Sequence, residues 1–218
     1  MTVFDAQNMA NTAWSFAKMA VENGPLLASI ASEAIHKITD CQPQEMANIA
    51  WAFAALLLTD LPLSDALSAE VIRKLTDFDA QHLSNTLWSW AALVLQDRPL
   101  LDALAASALP TLSEYTMQEL SNTAWACATL LDYNQPLLDA IASASSPRLE
   151  DELQRAVALS KGKLERDLET ALLFEVNAGE LAWSYTFLSQ PWRPLLKQVH
   201  AACLELGRAF DRNHAGWR

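Results

Sequence analysis

The feature that most constrains this chain is an octet of residues that occurs four times at a fixed spacing. It reads Gln7-Asn8-Met9-Ala10-Asn11-Thr12-Ala13-Trp14, then Gln44-Glu45-Met46-Ala47-Asn48-Ile49-Ala50-Trp51. The third copy is Gln81-His82-Leu83-Ser84-Asn85-Thr86-Leu87-Trp88, and the fourth Gln118-Glu119-Leu120-Ser121-Asn122-Thr123-Ala124-Trp125. The tryptophans stand at 14, 51, 88 and 125, a step of 37 residues each time. A constant period in this range marks a stacked repeat array, in which each unit buries its apolar face against its neighbours. Only five glycines interrupt a chain rich in Ala and Leu, which favours helix over sheet.

Each repeat divides into two helical halves. The first half begins near the Gln, and its spacing predicts a helix that runs about eight residues past the Trp. Met9, Phe16 and Met19 share one side of it, with equivalents Met46, Phe53, Leu56, then Leu83, Trp90, Leu93, then Leu120, Cys127, Leu130. A neighbouring stripe of small residues (Ala10, Ala13, Ala17) allows close helix approach. Proline then opens the second half at Pro25, Pro62, Pro99 and Pro136, a position where its missing N–H is not needed. Thr39-Asp40, Thr76-Asp77 and Ser113-Glu114 supply turn chemistry between repeats.

After Pro147 the register breaks. The next matching segment, Leu181-Ala182-Trp183-Ser184-Tyr185, places its Trp 58 residues after Trp125 instead of 37. Glu180 replaces the Asn, and Val176 the Gln. The expected architecture is all-α: a right-handed α-solenoid of about five helix-pair repeats, with an inserted helical segment before the last. Residues 1–147 form four repeats, and residues 148–218 form the inserted helices plus a degenerate fifth repeat acting as C-terminal cap.

Charge decides among function classes. Residues 1–147 hold 5 Lys/Arg against 16 Asp/Glu, a net −11, whereas residues 148–218 hold 10 of each sign. Nucleic-acid binding normally rests on a basic surface that neutralises phosphates, so an array this acidic is better suited to protein partners. The longest apolar run, Ile49 to Leu58, is too short to span a membrane. No targeting peptide is visible at Met1, although a cleaved one would leave no trace. The histidines (His36, His82, His200, His214) and cysteines (Cys41, Cys127, Cys203) show no metal-ligand spacing. There is no phosphate-cradling glycine loop and no defensible nucleophile–base set. The expectation is a protein without catalytic residues, metal or cofactor.

Two sets of residues are candidates for binding. Gln7, Asn11 and Trp14 fall within about 60° on a helix, as do Gln44, Asn48, Trp51, then Gln81, Asn85, Trp88, then Gln118, Asn122, Trp125. These form a ladder with two readings. In the structural one, Trp fills the seam between repeats and the amides satisfy buried backbone groups. In the other, the amides grip a peptide backbone or successive bases. Sameness among copies favours the first reading, since a surface that reads sequence should vary. Three varying stripes are therefore the candidate partner-binding positions on the concave face: Asn8, Glu45, His82, Glu119; Ser15, Ala52, Ser89, Ala126; and Lys18, Ala55, Ala92, Thr129.

The pattern Gln-x-[Leu/Met]-[Ala/Ser]-Asn-[Thr/Ile]-[Ala/Leu]-Trp, carried by these four octets, resembles the heptatricopeptide and octotricopeptide repeats of alveolate and algal organellar proteins. The resemblance covers residues 4–147 and, more weakly, 173–205. It implies a helix-pair superhelix in a chloroplast or mitochondrion, and RNA as a ligand in RNA processing, stability or ribosome assembly. Set beside the charge, the reading is a scaffold that binds protein partners within a larger assembly, with organellar RNA binding as the alternative.

Overall fold

The computed structural model describes residues 5–130, 134–159, 176–184, 199 and 201–202. They are helical or in turns, with no strand among them. The chain forms two compact units, Met1–Glu114 and Tyr115–Arg218. The first contains α1 (Ala6–Lys18), α2 (Gly24–Lys37), α3 (Pro43–Ala55), α4 (Leu61–Lys74), α5 (Ala80–Ala92) and α6 (Arg98–Ala108). The second contains α7 (Met117–Thr129), α8 (Gln135–Leu159) and a helical stretch over 176–184.

Capping fixes where the helices start. Asp5, Asp79 and Thr116 accept from the backbone N–H three residues on, opening α1, α5 and α7; such a cap is worth about 1 kcal/mol. Asn23, Asp60 and Asp97 do the same for α2, α4 and α6, and Asn134 Oδ1 accepts from Leu137 N–H at 3.2 Å. The expected prolines therefore sit one residue inside these second helices, behind a cap. Short 3₁₀ turns at Ile38–Asp40, Leu75–Asp77 and Leu109–Glu114 occupy the expected inter-repeat turns.

The first helices stop four residues past the Trp, not eight. The reason lies in the backbone: Ala20, Leu57 and Val94 adopt φ of 51°, 54° and 55°. Each reverses the chain in a Schellman-type closure, as in Val21 N–H to the Phe16 carbonyl, Leu58 to Phe53 and Leu95 to Trp90, all at 2.9 Å.

In the first unit, α1 packs on α3 and α3 on α5, while α2 packs on α4 and α4 on α6. Each first helix also meets its own second helix, α1 on α2, α3 on α4 and α5 on α6. The expected small stripe is buried (Ala10, Ala13, Ala17), as are Met9, Met46, Leu83 and Trp90 from the large-residue side. Met19, placed on that same side by periodicity, is 62% exposed because the helix ends before it. A polar tie links successive turns: Lys74 Nζ donates to the carbonyls of Thr39 and Cys41 at 2.7 Å each, and bonds Glu70 at 2.9 Å.

In the second unit, α8 runs unbroken through Pro147, so the loss of repeat register there is not a break in the helix. The remainder of the expected inserted segment (160–175), the second half of the expected fifth repeat, including Pro194, and the tail 203–218 lie outside the described residues. The same holds for His200, His214 and Cys203.

Candidate functional site

The octet's Gln, Asn and Trp lie on the solvent side of their helices. Gln7, Gln44, Gln81 and Gln118 are all exposed; Asn11 is exposed, and Asn48, Asn85 and Asn122 are half-buried. Trp14 is 41% exposed, and Trp51, Trp88 and Trp125 are half-buried. The spacing 7, 11, 14, 18 keeps these residues on one face, turned away from the stripe of buried Met9, Ala10, Ala13 and Ala17. Among the described residues no hydrogen bond is formed by the Gln or Asn side chains of this face. The amides of this face are thus turned toward solvent in the first copy and half-buried at Asn48, Asn85 and Asn122. The buried backbone needs no help from them, because the helices close their own bonds and Ser and Thr of the octet return theirs locally. Thr86 Oγ1, for example, donates to the His82 carbonyl at 2.8 Å and Thr123 Oγ1 to that of Glu119 at 2.7 Å.

The tryptophans form a continuous row in the first unit. Trp14 and Trp51 have ring centroids 6.5 Å apart at 40°, and Trp51 and Trp88 are 6.4 Å apart at 29°. These separations fall within the range of favourable aromatic pairs, so the row both joins neighbouring helices and presents ring surface outward. Lys18 lies over it, its Nζ 5.6 Å from the Trp14 centroid and 5.8 Å from that of Trp51. Both distances are within cation–π reach.

The three varying stripes fare differently. Asn8, Glu45, His82 and Glu119 turn out to be the third residue of their helices. Glu45 and Glu119 accept from the N–H of Gln42 and Thr116 at 2.7 and 2.6 Å, and His82 Nδ1 faces the Asp79 N–H at 3.4 Å. Glu45, His82 and Glu119 thus close capping boxes, which gives these three positions of the stripe a role in helix initiation. Ser15 is exposed, but Ala52, Ser89 and Ala126 are buried; Ser89 is 1% accessible and donates to the Asn85 carbonyl at 2.6 Å. For Ala52 and Ser89 the reason is packing, since α3 is flanked by both α1 and α5. In the third stripe Lys18 is outward, Ala55 and Ala92 are half-buried, and Thr129 hides its hydroxyl without a partner.

The second unit repeats the pattern. In the stretch 176–184, Val176 is exposed, Glu180 half-buried and Trp183 45% exposed, matching the Gln, Asn and Trp places. Burial holds the Glu180 carboxyl above its ordinary range. Asn177, which sequence reasoning did not single out, is buried, and its Oδ1 accepts from Ser121 Oγ at 3.5 Å.

Other features carry no chemistry of their own. Cys41 is wholly buried, and burial pushes its thiol up to about 11; Cys127 is buried, as expected of a core residue. No cluster of three His, Cys, Asp or Glu suited to a metal occurs among the described residues. None of their helices is long and apolar enough to cross a membrane.

Compared with known families, residues 1–147 match the family model described as RNA-editing substrate-binding complex 6 protein. The match bears on a helical protein of an RNA-editing complex and does not single out the heptatricopeptide family. No curated protein matches the chain.

Proposed function

Because the chain belongs to the RNA-editing substrate-binding complex 6 protein family, we propose that it serves as a non-catalytic scaffold subunit of an RNA-editing assembly, holding protein partners along its helical array. The observation that carries this reading is the charge of the first unit. Residues 1–114 contain 5 Lys/Arg against 13 Asp/Glu, a net −8. Lys37 is committed to Glu33, and Arg73 and Lys74 to Glu70, inside the helices. That leaves no basic track along which phosphates could be neutralised. The first helices begin at Ala6, Pro43, Ala80 and Met117, a spacing that supports 37-residue units as the frame of the right-handed solenoid we propose. The resemblance to organellar repeat proteins supports an organellar setting.

A second reading, direct RNA binding, is favoured by one observation: the Gln–Asn–Trp face offers amides and aromatic surface to bases, with Lys18 beside them. Purification of the tagged full chain with its assembly, with and without ribonuclease, separates the two. The scaffold reading expects the other subunits to stay bound after RNA is digested. Loss of every subunit on digestion, together with sub-micromolar, salt-sensitive binding of RNA by the pure chain, would overturn it.

A further inference from the structure

We infer that the Gln–Asn–Trp face of α1, α3 and α5 is a docking groove for an extended, basic peptide segment of a partner protein. This deepens the scaffold reading and rests on it.

Three observations converge. The first is spacing. An extended chain advances about 3.3 Å per residue, so side chains on one side of it recur at about 6.6 Å. The Trp row repeats at 6.5 and 6.4 Å. Alternate side chains of such a segment would therefore fall one to a ring. The amides beside the row are Asn11, Asn48 and Asn85, with Gln7, Gln44 and Gln81 beyond. Each can both donate to a carbonyl and accept from an N–H, and a peptide backbone offers these two groups at every residue. Copies that do not vary suit a ligand feature that does not vary either, which is the backbone.

The second is the choice of side chain. Lys18 already shows what the rings accept, since its ammonium lies within 6 Å of both Trp14 and Trp51. The position equivalent to Lys18 one repeat on is Ala55, and two repeats on it is Ala92. The chain thus supplies a cation over Trp14 and Trp51 and gives small residues beside Trp51 and Trp88. A partner's Lys or Arg fits there.

The third is charge complementarity. The unit that carries the groove is net −8, and exposed Asp5 and Asp79 open α1 and α5 next to Gln7 and Gln81. A basic segment is drawn to such a surface and a polyanion is repelled. Base stacking fits less well. A base stacked on two rings at once needs them parallel, and here the ring planes are tilted by 29° and 40°.

The test uses the full chain and fluorescence anisotropy with three labelled probes: an alternating Arg-Ala dodecapeptide, an alternating Glu-Ala dodecapeptide and a twelve-residue oligouridylate. Saturable binding of the Arg-Ala peptide alone, weakened about ten-fold in Ala55→Lys, is the expected result. That variant places an ammonium where a partner's would sit, and Lys18 shows that the helix position tolerates lysine. Lys18→Ala should strengthen the same peptide two- to five-fold. Equal binding of both peptides, or Arg-Ala binding that Ala55→Lys leaves unchanged, overturns the groove. So does oligouridylate binding that Ala55→Lys strengthens, which would make the face an RNA surface. If no probe binds while the chain still co-purifies with its assembly after ribonuclease, the groove is refuted and the scaffold reading stands. If co-purification also fails, both fall.

Discussion

Lys74, paired with Glu70, ties two successive parts of the first unit together. Glu70 is 5% exposed yet charged, held by Arg73 and Lys74 from its own helix, and Lys74 extends the tie to two backbone carbonyls about a repeat away. Lys74→Met would keep the length and apolar stem of the side chain while removing its three donors. The carbonyls of Thr39 and Cys41 then lose this partner, and the expected cost is about 2–3 kcal/mol in urea unfolding. A change under about 0.5 kcal/mol would show that water replaces the ammonium at no loss. The hydrogen bond from Arg73, with that from Lys74, holds the Glu70 carboxyl down to about 2 against an ordinary 4.5, despite burial acting the other way. A carboxyl with a lowered folded value stabilises the fold above its unfolded value, and that contribution drains away as pH falls from 4.5 toward 2. Glu70→Gln should therefore flatten the acid limb of the stability curve in that window. An unchanged limb would place the acid sensitivity elsewhere.

At the scale of the helix, the three left-handed residues that end α1, α3 and α5 are the clearest local strain. Alanine at φ 51° is tolerable, but a leucine and a β-branched valine at 54° and 55° are not where either residue rests. Leu57 and Val94 are 73% and 62% exposed, so little packing compensates. Val94→Gly is expected to raise stability by about 1 kcal/mol, the reverse of the usual cost of glycine, and Leu57→Gly by somewhat less. Chemical denaturation of both variants checks this, and destabilisation by either would mean the side chain is held by something other than the core. No sequence signal announced these caps, because glycine is the residue that marks them and none stands at 20, 57 or 94. That is why the helices were expected to run four residues too far. The pairing of helices, by contrast, was legible: Trp spacing, proline placement and the Ala stripe each depend on local rules that a repeat states several times over. The second-helix caps Asn23, Asp60 and Asp97 were equally readable and were missed because proline drew the helix start to itself. The exposure of the octet's amides was harder to read for a different reason. Gln and Asn recurring beside a Trp suggested a buried seam, whereas Lys18 on the same 60° face already pointed to water. The capping role of Glu45, His82 and Glu119 was not legible, because a varying position that closes a capping box looks, in sequence, like a varying surface.

For the molecule as a whole, the question is how the two compact units share stability. Each has its own core, with Leu27, Leu63, Leu100 and Leu104 in the first and Leu120, Leu138, Ile141 and Leu181 in the second. Within the first unit α6 packs on α4 and α5, so a defect in α6 should be felt steeply in those helices and weakly in helices it does not touch. Leu104 is wholly buried in α6, and truncation to alanine is expected to cost about 2–5 kcal/mol through lost transfer energy and the cavity left behind. Amide hydrogen exchange on Leu104→Ala then reads the coupling directly. Amides of α4, α5 and α6 should lose protection by a factor approaching that full cost, while those of α7 and the first half of α8 should retain most of theirs. Equal loss of protection in every helix would show that the chain unfolds as one cooperative body. Graded loss has a functional corollary for a scaffold: a partner segment that stiffens the Gln–Asn–Trp face should raise protection first in α1, α3 and α5, so the same measurement that maps the defect also maps the docking.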